Sequence, residues 1–426
     1  MKPTVVYFRL AALATTCLVW QTTSQRMVRG ELANDCMNHT PTPLRLVCVC
    51  PYPVLPAAAG GKVRIVQLGR QLTRLGVDVT LVTPYHPRQT RDLVDREPFR
   101  IVQIPYPFIL PLLFTDRPLP YQYLTSFHPG LGSMLRRHIV GADIVQFEQA
   151  QLAQLAMQLP DRQIVVYGSQ NVEYDYARAE CRSDWSAGLV GRRIAKLEGG
   201  LIARSRHVLA VSSGDCQRFT ELYQADPTAM TVVPNGIDAP GRQVFDDRRA
   251  VARLPGLVPF AKRGLYSGSD VEHNRVAVRF ILTQVAPHRP DVGFVIHGGC
   301  GNSFARTCRL PNVFFDPDMD HFNDYTAPGF RGLNAVTTGG GSNLKLLQYF
   351  SRGMPVISTS FGMRGHADLL PYAAVCEGDR LWEAFDDELL PPPPESVLRK
   401  YEWSTVAATM LDVYRRLVST TPSGAP

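Results

Sequence analysis

Short apolar runs bounded by proline, glycine or polar clusters alternate along the chain with stretches of helical spacing. Leu44 to Cys50 is apolar and partly β-branched, with prolines at both ends, and predicts a buried strand. A loop holding Gly60-Gly61 follows. The apolar positions Val63, Val66, Leu68, Leu72 and Leu75 then fit an amphipathic helix that Gly76 ends. Val77 to Thr83 predicts the next strand. Strand, helix and strand at this spacing form a right-handed βαβ unit, which implies a parallel sheet.

The rhythm continues with strands at Arg100 to Ile104, Ile144 to Phe147, Gln163 to Tyr167 and Val208 to Val211, and a helix at Val190 to Ser205. Ser212, Ser213 and Asp215 offer capping oxygens for the helix after them. Thr231-Val232-Val233 closes this series at Pro234-Asn235-Gly236. A second series opens at Gly264-Leu265-Tyr266. It runs through a helix at Asn274 to Gln284, strands at Phe294 to Ile296, Val313 to Phe315 and Leu333 to Val336, a helix from Ser342 to Arg352, and a strand at Pro355 to Ser358. Pro391 to Pro394 interrupts the pattern, and Ser404 to Leu417 returns to helical spacing. The fold class expected is α/β: two Rossmann-like, doubly wound domains facing a cleft. The first spans 44–240 and the second 241–401, with a disordered tail at 419–426. Ligands of such sheets sit beyond the carboxyl ends of the strands, on the turns into helices.

The 426 residues suit two cores better than one. A hydrophobic share of 45% and a charged share of 19% belong to a globular protein rather than a disordered one. The formal charge of +7 suits an anionic substrate or a lipid headgroup surface, and without a lysine-arginine block it argues against nucleic acid. Nine cysteines, scattered without metal-ligand spacing, fit free thiols in a reducing compartment, with Cys48 and Cys50 as small buried side chains. Residues 1–43 read as a leader or a mis-called start: Val5 to Trp20 is apolar after Lys2 but is broken by Arg9, and Met27 and Met37 both precede the first convincing strand.

The densest chemical signal is Gly339-Gly340-Gly341-Ser342-Asn343-Leu344-Lys345. Successive glycines let backbone approach a ligand without a Cβ in the way. Ser342 or Asn343 would cap the following helix, whose free amides and positive dipole end favour a diphosphate. Lys345 in the first helical turn opposes the dipole unless an anion is bound. The spacing is not that of a P-loop, and Gly298-Gly299-Cys300-Gly301 is not a dinucleotide fingerprint. Asp316-Pro317-Asp318 reads as a proline-bearing surface turn, Asp386-Asp387-Glu388 as a solvated acidic run, and Glu148 and Glu198 as ordinary glutamates at element ends.

That glycine run, with Gly353-Met354-Pro355-Val356-Ile357-Ser358-Thr359 and Gly362-Met363-Arg364-Gly365, resembles the donor site of GT-B glycosyltransferases of family four. Pro51-Tyr52-Pro53 with Gly60-Gly61 is similar to that family's first glycine loop. Gln170-Asn171-Val172-Glu173 resembles its His-Asn-x-Glu segment, and Val233 to Asp238 its lobe junction. Tyr266-Ser267-Gly268-Ser269 with Asn274 looks like the opening of its donor lobe.

The resemblance implies transfer of a sugar, with retention, from a nucleotide sugar to a hydroxyl acceptor such as a saccharide or lipid-linked glycan, in polysaccharide, glycolipid or glycoconjugate synthesis. It implies no cofactor and no obligatory metal, and it leads the last helix, 402–418, back to the first lobe. Gly268, Ser269, Gly339 to Lys345 and Gln348 would bind the donor. Gly60 and Gly61 would form the acceptor-side loop, and Gln170, Glu173 and Lys345 are the catalytic candidates. A cytoplasmic location is implied, with the first-lobe arginines Arg70, Arg74, Arg91, Arg96 and Arg100 as candidates for peripheral contact with the inner membrane face.

Four residues depart from the family pattern. Gln348 stands where a glutamate accepts from ribose, Gln170 where a histidine contacts the sugar, and Ser269 and Asp270 in the neighbourhood of a basic pair. The alternative these departures leave open is a catalytically silent GT-B domain that binds a nucleotide sugar or a partner subunit.

Overall fold

Thirteen strands among the described residues form two fully parallel sheets in this computed structural model, which describes residues 43–57, 60–85, 90–104, 131–179, 184–238, 247–339 and 342–420. The first sheet contains β1 (Arg45–Val49), β2 (Asp78–Pro84), β3 (Arg100–Ile104), β4 (Ile144–Phe147), β5 (Ile164–Gly168), β6 (His207–Ala210) and β7 (Met230–Val232), in the order β3-β2-β1-β4-β5-β6-β7. Its connections include α1 (Gly60–Arg74), α2 (Arg91–Asp95), α3 (Leu131–His138), α4 (Ala153–Ala156), α5 (Glu173–Ala179), α6 (Asp184–Arg204) and α7 (Ser213–Tyr223).

The second sheet contains β8 (Lys262–Ser267), β9 (Val292–His297), β10 (Val313–Asp316), β11 (Phe330–Asn334), β12 (Val356–Ser358) and β13 (Ala373–Val375), in the order β10-β9-β8-β11-β12-β13. Around it lie α8 (Arg248–Arg253), α9 (Glu272–Phe280), α10 (Leu344–Ser351) and α11 (Glu395–Leu398), and the chain ends in α12 (Trp403–Thr420).

Side chains alternate across each sheet as strand geometry requires. Leu46 and Cys48 of β1 face α1 and α12, whereas Val47 and Val49 face α4 and α7. On α1, Ile65, Val66, Leu68 and Leu72 are buried against Trp403, Val406, Met410 and Tyr414 of α12, so the last helix packs on the first sheet. In the second sheet, Leu265 and Tyr266 likewise enter opposite cores. The described cysteines are free thiols, and Cys48 and Cys50 are buried.

Strand order reverses direction twice, between β1 and β4 and between β8 and β11. Chains leaving the carboxyl ends of these paired strands turn opposite ways and open a crevice there. The turns involved begin at Cys50, Glu148, Gly268 and Ala335. The sheet architecture therefore selects the turns that hold Gly268 and Gly339 as crevice linings.

Several boundaries move. Gly60 and Gly61 form the first turn of α1 rather than a loop before it. The helix expected at Asn274 to Gln284 begins at Glu272 and passes at Ile281 into a single π-turn. The strand expected at Leu333 to Val336 is β11, which ends at Asn334, and Ala335 and Val336 stay buried beyond it. Ser419 and Thr420 belong to α12 rather than to a disordered tail. The leader segment through Thr42 and the tail 421–426 lie outside the described residues.

Candidate functional site

The first-sheet side of the crevice is a buried chain of polar groups. Tyr52, beyond β1, donates to Gln170 Oε1 at 3.0 Å, and Gln170 Nε2 donates to Glu148 Oε2 at 3.4 Å. Glu148 also accepts from Gln146 Nε2 at 2.5 Å, and Gln146 accepts from Tyr414 of α12 at 2.5 Å. Burial pushes the Glu148 carboxyl up, while Gln146 and the Arg64 charge pull it down. An amide at position 170 receives one hydrogen bond and gives another without carrying charge. Gly61 lies directly against it: a Cβ there would fall 2.2 Å from Gln170 Oε1.

Glu173 begins α5 but is sealed inside the lobe, 1% exposed. Its Oε2 accepts from Gln151 Nε2 at 3.2 Å, while Oε1 and Gln151 Oε1 are buried without a hydrogen-bond partner among the described residues. Burial first, and the neighbouring Glu198 second, raise its pKa to about 8. Glu198 accepts from the Glu173 and Tyr174 amides and from the Tyr167 and Tyr223 hydroxyls, at 2.7 to 3.1 Å. It is thus a four-donor structural anchor, and burial lifts it to about 7.

The second-sheet side gathers around α10. Lys345 Nζ donates to Tyr266 OH at 2.9 Å and Asn274 Oδ1 at 2.8 Å, and lies 4.1 Å from the centre of the Tyr266 ring. Burial lowers its pKa to about 7. Gly268 and Ser269 form the turn after β8, where Gly268 O accepts from Cys300 N and Ser269 O from Asn274 Nδ2. The Gly298 to Gly301 segment is a 3₁₀ turn packed on that loop. Gly339 has φ +116°, and a Cβ there would lie 3.1 Å from the His273 side chain. The backbone conformation favours glycine, and a Cβ would crowd His273. Gly340 and Gly341 lie outside the described residues. Gln348 is half-buried, one turn along α10 from Leu344 and Lys345.

Ser342 and Asn343 do not cap α10 with their side chains. Asn343 Nδ2 donates to Gly362 O at 2.9 Å, and Ser342 Oγ accepts from Asn235 Nδ2 at 3.0 Å. The first amides of α10 are thereby left to other acceptors. Ser212 is a true cap, accepting from Asp215 N at 3.1 Å.

The two sides meet. The position of a Gly60 Cβ is 3.9 Å from Leu344 Cδ2, so the amino ends of α1 and α10 converge. Tyr176 of α5 meets His273 of α9 edge to face at 6.4 Å. Gly365 packs against Ser212 and Ser342 together. Arg364 is held near Asp215, and burial lowers its pKa to about 10.

Asp316 is no simple surface turn. It is buried at the end of β10, where it accepts from Tyr325 OH at 2.5 Å, His321 Nδ1 at 2.9 Å and Asp318 N at 3.1 Å. Asp318 accepts from Asp320 N at 3.0 Å and starts a 3₁₀ segment. Asp386 to Glu388 are exposed, with Asp386 paired to Lys262. Among the first-lobe arginines, Arg70 grips Glu97 at 2.7 and 2.8 Å and Arg91 pairs with Asp95 at 3.4 Å.

Sequence reading missed Arg64. It is 3% exposed and donates to Val233 O at 2.7 Å, Pro234 O at 2.6 Å and Asn235 Oδ1 at 3.4 Å. Its signal was present: Arg64, Leu68 and Leu72 recur every four residues, which sets a cation on the apolar stripe of α1.

Residues 58–239 match the family model described as Glycosyltransferase Family 4. No curated protein matches the chain. Among solved structures, the chain is similar to sucrose-phosphate synthase from Thermosynechococcus elongatus, at 15% identity and TM-score 0.65, over 88% of this chain and 99% of that one. It is similar to the catalytic domain of starch synthase IV from Arabidopsis thaliana bound to ADP and acarbose, at 13% identity and TM-score 0.61, over 88% and 100%. It is also similar to HepE of Anabaena in complex with UDP-glucose, at 13% identity and TM-score 0.58, over 89% and 99%. The two parallel sheets and their facing crevice are the GT-B fold, and residues 58–239 match the Glycosyltransferase Family 4 model.

Proposed function

We propose that the chain transfers a sugar from a nucleotide-sugar donor to the hydroxyl of a saccharide or lipid-linked acceptor, with retention at the anomeric carbon. One observation carries this reading: the amino ends of α1 and α10 converge at the paired switch points of the two sheets, with Lys345 in the first turn of α10. Two helix amino ends and a cation suit a diphosphate better than a neutral ligand. The UDP-glucose and ADP named with HepE and starch synthase IV support the donor class.

In the proposed reaction the bond from C1 to the donor's phosphate oxygen breaks and leaves oxocarbenium character on the sugar. The acceptor oxygen bonds to C1 on the same face, and its proton passes to a β-phosphate oxygen of the departing nucleoside diphosphate. The protein's part is to align the two substrates and stabilise the leaving charge. Helix α10 and Lys345 supply that stabilisation without a divalent cation, so a chelator leaves the rate unchanged. Gln170 orients the sugar from the first-lobe side, and Glu173 holds that side in place from the interior.

The test is incubation of the purified protein with labelled UDP-, ADP- and GDP-sugars, with and without saccharide acceptors. Slow hydrolysis of one donor, accelerated transfer with an acceptor and an α-linked product from an α-linked donor are the expected results. Binding without turnover in every combination overturns the enzymatic reading in favour of a silent domain.

A further inference from the structure

Asn274 occupies a position that the glycine turn alone does not explain. Its side chain is almost fully buried at 4% exposure, yet it uses both ends of its amide. Oδ1 accepts from Lys345 Nζ at 2.8 Å and from Tyr266 OH at 2.9 Å, and Nδ2 donates to Ser269 O at 3.0 Å. One carboxamide therefore ties the lysine of α10 to the turn after β8 across the switch point. Gly268 yields the space, since a Cβ there would fall 2.8 Å from the Asn274 amide.

The chemistry of this cage is unusual in one respect. Among the described residues no carboxylate pairs with Lys345; its hydrogen-bond partners are a phenol and an amide, both neutral. Arg275, the next residue of α9, pairs with Asp270 and Glu272 instead, which keeps those carboxylates occupied. A buried ammonium with neutral acceptors keeps its field directed outward, and an anion entering the crevice becomes its counter-charge.

We propose that Asn274 is the positioning residue of the donor-phosphate site: its amide aims Lys345 at the crevice, and its neutrality reserves the lysine's charge for the diphosphate. This rests on the reading of the crevice as a nucleotide-sugar site and adds to it which residue sets the lysine's position and charge. An aspartate at 274 would fit the same space but would neutralise the lysine from within. An alanine would release both Lys345 and the Ser269 carbonyl.

The titratable groups that face the ammonium are the Tyr266 phenol of β8 and the Cys300 thiol of the turn after β9. Burial pushes the phenol well up and the thiol to about 11, so both stay neutral where the lysine titrates. Anion binding then requires the protonated lysine, and affinity falls as pH rises through about 7.

The experiment is calorimetric titration of the full chain with UDP, ADP and GDP between pH 6 and 9, for the unmodified protein, Asn274→Asp and Asn274→Ala. The unmodified protein binds one of the three and loses affinity above pH 7. Asn274→Asp binds about tenfold more weakly at pH 6, because its carboxylate neutralises the lysine, and the fall in affinity moves up by about one to three pH units, as a neighbouring carboxylate raises an ammonium's pKa. Asn274→Ala also weakens binding and moves the fall to lower pH. Should either variant fail to fold, Tyr266→Phe removes only the hydroxyl and must shift the fall downward by about half a pH unit. Variants that bind as tightly as the unmodified protein, with the same pH profile, overturn the role of Asn274 and leave the donor site standing. An unmodified protein that binds none of the three nucleotides overturns both.

Discussion

Asn235 Nδ2 donates to Ser342 Oγ at 3.0 Å, which ties the segment joining the two sheets to the residue that ends the glycine turn. The same asparagine accepts from Arg64 through Oδ1, so α1, the junction and α10 share one side chain. Asn235→Ala should cost about 1–3 kcal/mol, because it leaves buried Arg64 and Ser342 atoms short of partners. Melting curves measure that cost, and a double-mutant cycle with Ser342→Ala should give a coupling of about 0.5 kcal/mol or more. Strict additivity of the two substitutions would mean that the hydrogen bond contributes nothing.

Glu173 predicts a pH dependence of stability. Its folded-state pKa is raised to about 8, above the ordinary glutamate value, so the folded protein holds a proton there that the unfolded chain has lost. The associated stability is full below about pH 4.5 and is lost as pH rises toward 8, at on the order of 1 kcal/mol per pH unit. Glu173→Gln removes that proton exchange and should make the protein more stable than the original at pH 8. Glu198 and Asp215, raised to about 7 and about 6, leave a residual slope of the same sign. Denaturant titrations at pH 5 and pH 8 compare the two proteins; an equal loss of stability in both would rule out a protonated Glu173.

Two parallel sheets of alternating strands and helices were legible because they depend on local signals. Apolar runs such as Leu44 to Cys50 and turn residues such as Gly76 report strand and helix boundaries within a few residues, and parallel connectivity follows from their alternation. Ser212 was legible as a cap for the same reason. What stayed hidden depends on partners distant in sequence. Nothing near Lys345 indicates that its ammonium rests on Tyr266 and Asn274, residues 79 and 71 positions away. Ser342 and Asn343 have the composition of helix caps, but Asn235 and the Gly362 carbonyl compete for their side chains. Gly60 and Gly61 suggest a loop until Gln170 and Leu344 close against them, when a helix start without Cβ atoms becomes the arrangement that fits.

Gly61→Ala tests that close packing. The new methyl would lie 2.2 Å from Gln170 Oε1 and 3.1 Å from Tyr52 OH, so the Gln170 amide must swing away and surrender its bonds to Tyr52 and Glu148. A loss of about 1–3 kcal/mol is expected for such overpacking. Adding Gln170→Ala removes the obstructing amide and should recover part of the loss. A double variant less stable than Gly61→Ala by the full cost of Gln170→Ala would rule out the steric cause.

Gln348 lies one helical turn along from Leu344 on α10, with its side chain half-buried. If its amide oxygen accepts from the donor's ribose hydroxyls, Gln348→Glu supplies a charged acceptor, and a hydrogen bond to a charged group is roughly twice as strong. Affinity for UDP or ADP should hold or rise, up to about tenfold. A collapse in affinity would mean that the glutamine serves another contact.

Lys345 of α10 and Asp318, two residues beyond β10, offer a contrast between two polar positions of the second lobe. Lys345 is half-buried in the first turn of α10, whereas Asp318 is exposed, bonded to the Asp320 amide and to His321 Nε2 at 3.1 Å. Lys345→Ala removes the cation and takes one donor each from the Tyr266 hydroxyl and Asn274 Oδ1, which keep their own hydrogen bond. Nucleotide affinity should fall at least tenfold below pH 7 and become nearly independent of pH. Asp318→Ala loses a surface contact with His321 and a 3₁₀ cap, which costs at most about 1 kcal/mol of stability and changes affinity less than twofold. Calorimetry on both variants at pH 6 and pH 8 decides between the sites. Equal affinities would move the phosphate site away from α10, and a larger loss with Asp318→Ala would move it to the end of β10.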